Sequence, residues 1–322
     1  MPLPNDPRNR WWREVSNLYP EEVDRFRHCL VAFMAFGLDR EPGLAGTGFI
    51  ILSDPRFALV ITARHVIVEG IQGIQQPRRP HAPSAIFFSE RAGDPQFHPE
   101  KVRALWGNSR HASALNVSFA SFGDSPDVAA CVVMPLGDGV VFDPRDVRLD
   151  TTIPRIGEEI HVVSMARLSC DEIEPPQDRS GLGQHIRVSR SVSIRFGVVT
   201  GVYLEGLRHH AWPCFTASIP VEPGMSGGFA FVPRLGEKIG ACGILSADNS
   251  TPEARADFRV CGESIFCCVY PALALRCPVQ VPATPETAHR SLYEMMGDDL
   301  INAAVGIERF EVDGNTVIPR PR

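Results

Sequence analysis

The sequence predicts an all-β chain folded as a sandwich or as barrels, and three observations carry that prediction. Short apolar runs dominated by Val, Ile, Phe and Thr recur along it, as at CLVAFMAF (29–36), GTGFIIL (46–52) and FALVITARHVIV (57–68). Gly or Pro separates the runs, which is strand-and-turn punctuation. Strands do not alternate with helical patterns, which argues against a doubly wound parallel sheet.

Taken in order, residues 1–28 read as an N-terminal extension, where Pro, Trp and charge mix and a short helix is the most structure they suggest. The three runs above follow as strands. Residues 71–101, rich in Pro, Gln and Arg, read as long loops flanking one strand at 85–88 (Ala-Ile-Phe-Phe). Further strands are expected at 128–133, 159–165, 186–203, 214–221, 229–233, 239–246 and 264–270, with a polar loop at 167–185. Residues 285–296 carry a helical pattern, with Thr284 as N-cap before Pro285 and Glu286 in the first turn. No repeat at solenoid spacing is present.

A chain of 322 residues is long enough for one large or two ordinary domains, so core size is not limiting. Its net charge of −6 gives no electrostatic case for a nucleic-acid partner. No apolar stretch reaches the length of a membrane span, and the polar N-terminal residues do not form a signal peptide, so no membrane partner is expected. Nine cysteines, an odd number scattered from Cys29 to Cys277, do not form a disulfide framework. They read as buried thiols in a reducing cytoplasm. Cys261, Cys267, Cys268 and Cys277 have no standard zinc spacing.

Two segments carry chemistry. Gly-Met-Ser-Gly-Gly (224–228) sets a serine among glycines, where backbone N–H groups can converge on a developing negative charge. Gly224 permits a backbone conformation closed to residues with a Cβ. Thr-Ala-Arg-His-Val (62–66) ends an apolar run with a histidine, just past the end of a buried strand. A serine hydroxyl needs a base, and the base needs a carboxylate to fix its tautomer. Ser226 and His65 fill the first two roles. For the third, Asp127 directly precedes an apolar strand and can turn inward; Asp124 is its close competitor, and Asp138 and Asp143 lie farther on.

TARHV, Pro-Asp-Val-Ala (126–129) and GMSGG, in that order, resemble the three signatures of the trypsin-like (chymotrypsin-fold) serine peptidases. The resemblance covers residues 29–278 in outline, though only the short motifs are specific. It implies two six-stranded antiparallel β-barrels, 29–150 carrying His65 and Asp127 and 151–278 carrying Ser226, then a C-terminal helical tail at 279–322. It implies that Ser226 is the nucleophile, His65 the general base and Asp127 its orienting carboxylate, with the amides of Gly224 and Ser226 as the oxyanion hole. Cys-Gly-Ile-Leu-Ser-Ala-Asp (242–248) is similar to the strand that pairs with substrate backbone. There Ser246 would sit near the buried acid, and Ala247 and Asp248 would line the primary pocket with Pro220 and Val221. Phe-Cys-Cys-Val-Tyr (266–270) resembles the last barrel strand.

The departures are informative. Met225 stands where the pattern has an aspartate that pairs with a newly cut N-terminus, so activation by that ion pair is physically unavailable. Val66 stands where secreted relatives often have cysteine. Both features look closer to bacterial or intracellular members. Pro220 stands where a digestive trypsin has an aspartate, so a buried basic side chain would find no counter-charge there; preference for arginine or lysine is expected to be weak.

Gly-Met-Ser-Gly-Gly also fits the nucleophile elbow of α/β-hydrolases. That fold needs a helix after the serine and a histidine downstream. Here Phe-Ala-Phe-Val follows, and His289, within the expected helix, is the only later histidine. The expectation is therefore a regulated cytoplasmic serine endopeptidase with a protein or peptide substrate and no metal or organic cofactor, gated by a regulatory protein or by its own loops. The alternative is a binding or regulatory protein on the same scaffold, with weak or latent catalysis, using the loops at 71–101 and 167–185.

Overall fold

The computed structural model describes residues 11–16, 20–36, 42–68, 102–107, 112–123, 126–136, 142–173, 185–208, 210–234, 238–252, 255, 262–280 and 287–320. Strand β1 (Trp12–Glu14) and helix α1 (Pro20–Arg27) come first. A closed antiparallel barrel follows, built from β2 (Leu30–Phe36), β3 (Pro42–Asp54), β4 (Phe57–Thr62), β5 (Val102–Gly107), β6 (Ala112–Phe122) and β7 (Ala129–Pro135), in the order β2-β3-β4-β7-β6-β5. After β8 (Arg148–Leu149) come β9 (Glu159–Ile173), β10 (His185–Tyr203), β11 (Cys214–Ala217), β12 (Phe229–Phe231), β13 (Gly240–Ala241), β14 (Gly243–Asp248) and β15 (Ser264–Cys268). Six of these close a second antiparallel barrel, β10-β11-β15-β14-β12-β9, because β9 also pairs with β10. Strand β1 adds to its outside, along β10. Two closed six-stranded barrels are what the resemblance implies.

β5 and β6 fall where no run was expected. Their inward faces alternate instead of forming continuous apolar stretches: Ala104 and Trp106 on β5, Leu115 and Val117 on β6, are all fully buried. The run 57–68 divides. Strand β4 stops at Thr62, and residues 64–68 form a helical turn. The polar stretch at 167–173 is strand, paired through Ile173↔His185; ladder hydrogen bonds are made by backbone, so polarity did not exclude it. The expected strand at 85–88 lies outside the described residues.

Beyond the barrels, β16 (Arg276–Gln280) pairs with β17 (Thr287–Ser291), and helix α2 (Leu292–Gly297) follows. The terminal helix is therefore shorter than the pattern at 285–296 predicts. Ser291 is its N-cap, in a reciprocal capping box with Glu294. Thr284, Pro285 and Glu286 lie outside the described residues, and His289 is on β17, not in the helix. A hairpin of β18 (Phe310–Asp313) and β19 (Thr316–Pro319) ends the described chain.

One apolar core runs across both barrels. Phe49 of β3 and Phe229 of β12 meet with ring centroids 5.2 Å apart, and Phe26 of α1 caps Phe229 at 6.0 Å. All three rings are buried. Phe229 immediately follows the GMSGG segment, so this cross-barrel contact fixes the end of the serine loop against the histidine-bearing half.

Candidate active site

β4 delivers His65, and the approach to β7 delivers Asp127. The backbone amide of His65 donates to Asp127 Oδ1 at 3.0 Å, and His65 Nδ1 pairs with Asp127 Oδ2 at 2.9 Å. A carboxylate only accepts, so Nδ1 carries the proton, and Nε2 of the neutral ring carries the lone pair that a base requires. The Ser246 hydroxyl of β14 also donates to Oδ2. Burial pushes the Asp127 carboxyl up. The hydrogen bond and charge of His65, the Ser246 hydroxyl and the His65 amide together outweigh it and hold the group below its ordinary value. Of the four candidate acids, Asp127 meets His65. Asp143 is exposed, with its carbonyl against His28 Nδ1; Asp124 and Asp138 lie outside the described residues.

Ser226 is held by two successive turns. The Met225 amide donates to Glu222 O at 3.1 Å, with Pro223 second and Gly224 third at φ +91°. That is the residue pattern of a type II turn, whose third position needs positive φ. The Gly228 amide then donates to Met225 O at 3.0 Å, with Gly227 third at φ +84°. Ser226 O accepts from the amide of Thr47 at 2.7 Å, and the Gly227 amide donates to Leu245 O at 2.7 Å. The amides of Gly224 and Ser226 donate to no acceptor among the described residues. Two donors thus stand uncommitted beside one hydroxyl.

A cleft of about 690 Å³ lies over these groups. His65, Asp127, Ser226, Ser246, Ala247, Asp248 and Val221 line it, so the structure gathers most of the sequence-derived site into one concavity. Pro220 does not line it. Its carbonyl accepts from Arg195 Nη1 at 2.7 Å, and its ring packs over Gly262, where a Cβ would come 2.5 Å from Pro220 Cα. The residue is an anchor beneath the loop, not part of the pocket wall. Asp248 lines the cleft but is already engaged: Oδ2 pairs with Arg255 Nε at 2.8 Å, and Oδ1 accepts from the Ser250 amide at 2.8 Å.

Sequence reasoning missed Arg64, Val68, His210, Trp212, Glu222 and Pro223, which complete the lining. Arg64 lies within the histidine motif, and Val68, Glu222 and Pro223 adjoin the two motifs, so all four were readable as neighbours. His210 and Trp212, whose rings meet edge to face at 4.7 Å, arrive from a separate loop with no motif of its own. Among the described residues no group of three or more His, Cys, Asp or Glu side chains is arranged to hold a metal ion.

No protein-family model matches the sequence, and no curated protein matches it. Among solved structures the chain is similar to the human heparin-binding protein, at 14% identity and a TM-score of 0.40, over 77% of this chain and 88% of that one. The pair of closed six-stranded antiparallel barrels is a chymotrypsin-like fold.

Proposed function

We propose that the protein is a serine endopeptidase acting through a Ser226–His65–Asp127 triad. The observation that carries this reading is the double contact of His65 with the buried Asp127 carboxylate, at 2.9 and 3.0 Å, in the cleft that Ser226 also lines. Ser226 Oγ attacks the scissile carbonyl carbon as its proton passes to His65 Nε2. The resulting oxyanion accepts hydrogen bonds from the Gly224 and Ser226 amides. Collapse of the tetrahedral intermediate expels the amine, which takes the proton from His65. Water then repeats the sequence on the acyl-enzyme.

An extended peptide fits the edge of β14. β12 pairs with β14 only at Gly243 and Ile244, so among the described residues Ala247 and Asp248 have a strand partner on the β15 side alone, past a bulge at Ser246. Peptide backbone can add there as a further strand. A cytoplasmic setting is supported by seven free thiols among the described residues, all buried, at Cys29, Cys131, Cys214, Cys242, Cys267, Cys268 and Cys277. Burial pushes the Cys29 thiol to about 11, so it stays protonated and unreactive. Met225 and Val66 support kinship with bacterial or intracellular peptidases, and a cytoplasmic peptidase calls for a gate, supplied by a regulatory protein or by the loops.

Labelling with an active-site serine phosphonate tests the reading. The native chain is expected to label once, and Ser226→Ala and His65→Ala not at all. A native chain that stays unlabelled under every condition, while binding a protein partner, would instead be a binding protein on a peptidase scaffold.

A further inference from the structure

Arg195 on β10 is a fully buried cation, with 1% of its surface exposed. Its guanidinium reaches two parts of the chain. On one side, Nη2 lies 3.3 Å from Glu14 Oε2, and Cζ sits 5.6 Å from the Trp12 ring centroid. On the other, Nη1 donates to Pro220 O at 2.7 Å and Nη2 pairs with the Glu222 carboxylate. Glu14 is itself fixed. It sits opposite Arg195 in the β1–β10 ladder, and its Oε1 accepts from Ser16 Oγ at 2.9 Å and Ser193 Oγ at 3.2 Å. The Ser218 hydroxyl secures the start of the segment through Trp11 O at 2.6 Å.

Pro220 and Glu222 lead directly into the turn that sets Gly224, and Glu222 O is the acceptor that closes it. Met225, the last residue of that turn, is a fully buried apolar side chain and brings no charge of its own to fix the loop. The ionic fastening of the loop therefore lies upstream, at Arg195. Buried ion pairs are poor sources of net stability, and in some systems they select one arrangement over its competitors.

We propose that residues 12–16 are a built-in strap for the serine loop. Through Glu14 and Arg195 they hold residues 220–224 in the arrangement that gives Gly224 its left-handed backbone and leaves its amide uncommitted. Glu14 and Arg195 are positioning residues, and their catalytic consequence rests on the peptidase reading above. The ion pair is carried by a strand already paired to the barrel, so the fastening belongs to the fold itself.

The test uses the full chain and two variants. Glu14→Gln keeps the shape and the acceptor for both serine hydroxyls while removing the charge; Arg195→Met removes the centre of the network. Amide hydrogen exchange is read on peptides covering 220–226 and on the first barrel, alongside phosphonate labelling and peptide hydrolysis. Exchange in 220–226 is expected to accelerate in both variants with the first barrel unchanged. Labelling and kcat are expected to fall on the order of tenfold or more, below the full loss of one oxyanion donor, while KM stays within about twofold because the β14 edge is intact. Native exchange at 220–226 in Glu14→Gln overturns the strap, as does acceleration spread evenly over the whole second barrel. Should Arg195→Met not fold, Glu14→Gln decides alone. Should the native chain fail to label, the peptidase reading falls while exchange still judges the strap.

Discussion

Thr47 of the first barrel donates its hydroxyl to the carbonyl of Gly224 in the second, at 2.8 Å, and its amide donates to Ser226 O at 2.7 Å. The same hydroxyl accepts from the Met165 amide at 3.0 Å, and Thr47 O accepts from the Thr62 hydroxyl at 2.6 Å, three residues before His65. One fully buried residue thus connects the histidine strand, the serine loop and the wall of the second barrel. Thr47→Val keeps the shape but strands the Met165 N–H and frees the Gly224 carbonyl. An unsatisfied buried donor costs about 1–3 kcal/mol. Chemical denaturation should show a loss of that size, with slower phosphonate labelling, and Thr47→Ser should recover most of both. A Thr47→Val chain as stable and as reactive as the native one would count against the cross-barrel role.

Gly227 and Gly157 share a φ of +84° but differ in surroundings. A Cβ on Gly227 would lie 1.9 Å from Thr47 O and 2.3 Å from Thr62 Oγ1, whereas nothing lies within 4 Å of one on Gly157. Gly157→Ala should therefore cost only the left-handed backbone, about 1–2 kcal/mol. Gly227→Ala must part the two threonines that join the barrels, and should cost more than about 4 kcal/mol or abolish soluble expression. Equal melting temperatures for the two variants would contradict this difference.

The contrast shows what was readable in the sequence. GMSGG announces a left-handed glycine turn because no other residue fills that conformation cheaply, and TARHV announces a strand end because an apolar run stops at charge. Strands such as β4 and the first half of β9 follow from nearly continuous apolar runs. Strands β5 and β6 do not, because their small and polar residues alternate around a few inward side chains. Arg195 was invisible for another reason. It sits in a strand among apolar residues, and nothing local says that Glu14, far upstream, and Glu222 converge on it. His210 and Trp212 are likewise placed by tertiary packing alone. Pro220 failed because position relative to the serine was read as pocket, while the carbonyl is bound from beneath.

On the peptidase reading proposed above, cleavage specificity follows from charges already committed. The Glu222 carboxylate faces Arg195, and Asp248 is shared between Arg255 and the Ser250 amide. A basic side chain entering the cleft must compete with an existing cation for either one. A peptide-library profile of the native chain should accordingly show no dominance of arginine or lysine before the scissile bond. Arg255 is more than half exposed, so Arg255→Ala should leave the fold intact and change its stability by less than about 1 kcal/mol. It releases Asp248, and preference for basic residues should rise by severalfold, about 1 kcal/mol of discrimination. An unchanged profile would remove Asp248 from the pocket.

Asp127 links the site to pH. Its folded carboxyl titrates below its ordinary value, with burial opposing and the contacts of His65 and Ser246 prevailing. A group held lower in the folded chain stabilises it fully above the unfolded pKa, about 3.9 for aspartate. That stability is lost as pH falls through the lower, folded value. The Asp127→Asn chain lacks this term. Its melting temperature should lie below that of the native chain at neutral pH, and the gap should narrow as pH is lowered below about 4. The amide also reverses the ring chemistry. An NH2 facing Nδ1 selects the tautomer with the proton on Nε2, where a base needs its lone pair, and on the peptidase reading kcat should fall on the order of 10⁴-fold. Those two readouts separate the roles of the carboxylate. A melting gap constant from pH 7 to pH 3 would mean that the contacts of the folded Asp127 carboxylate do not lower its titration, and an undiminished kcat would mean that it does not orient His65.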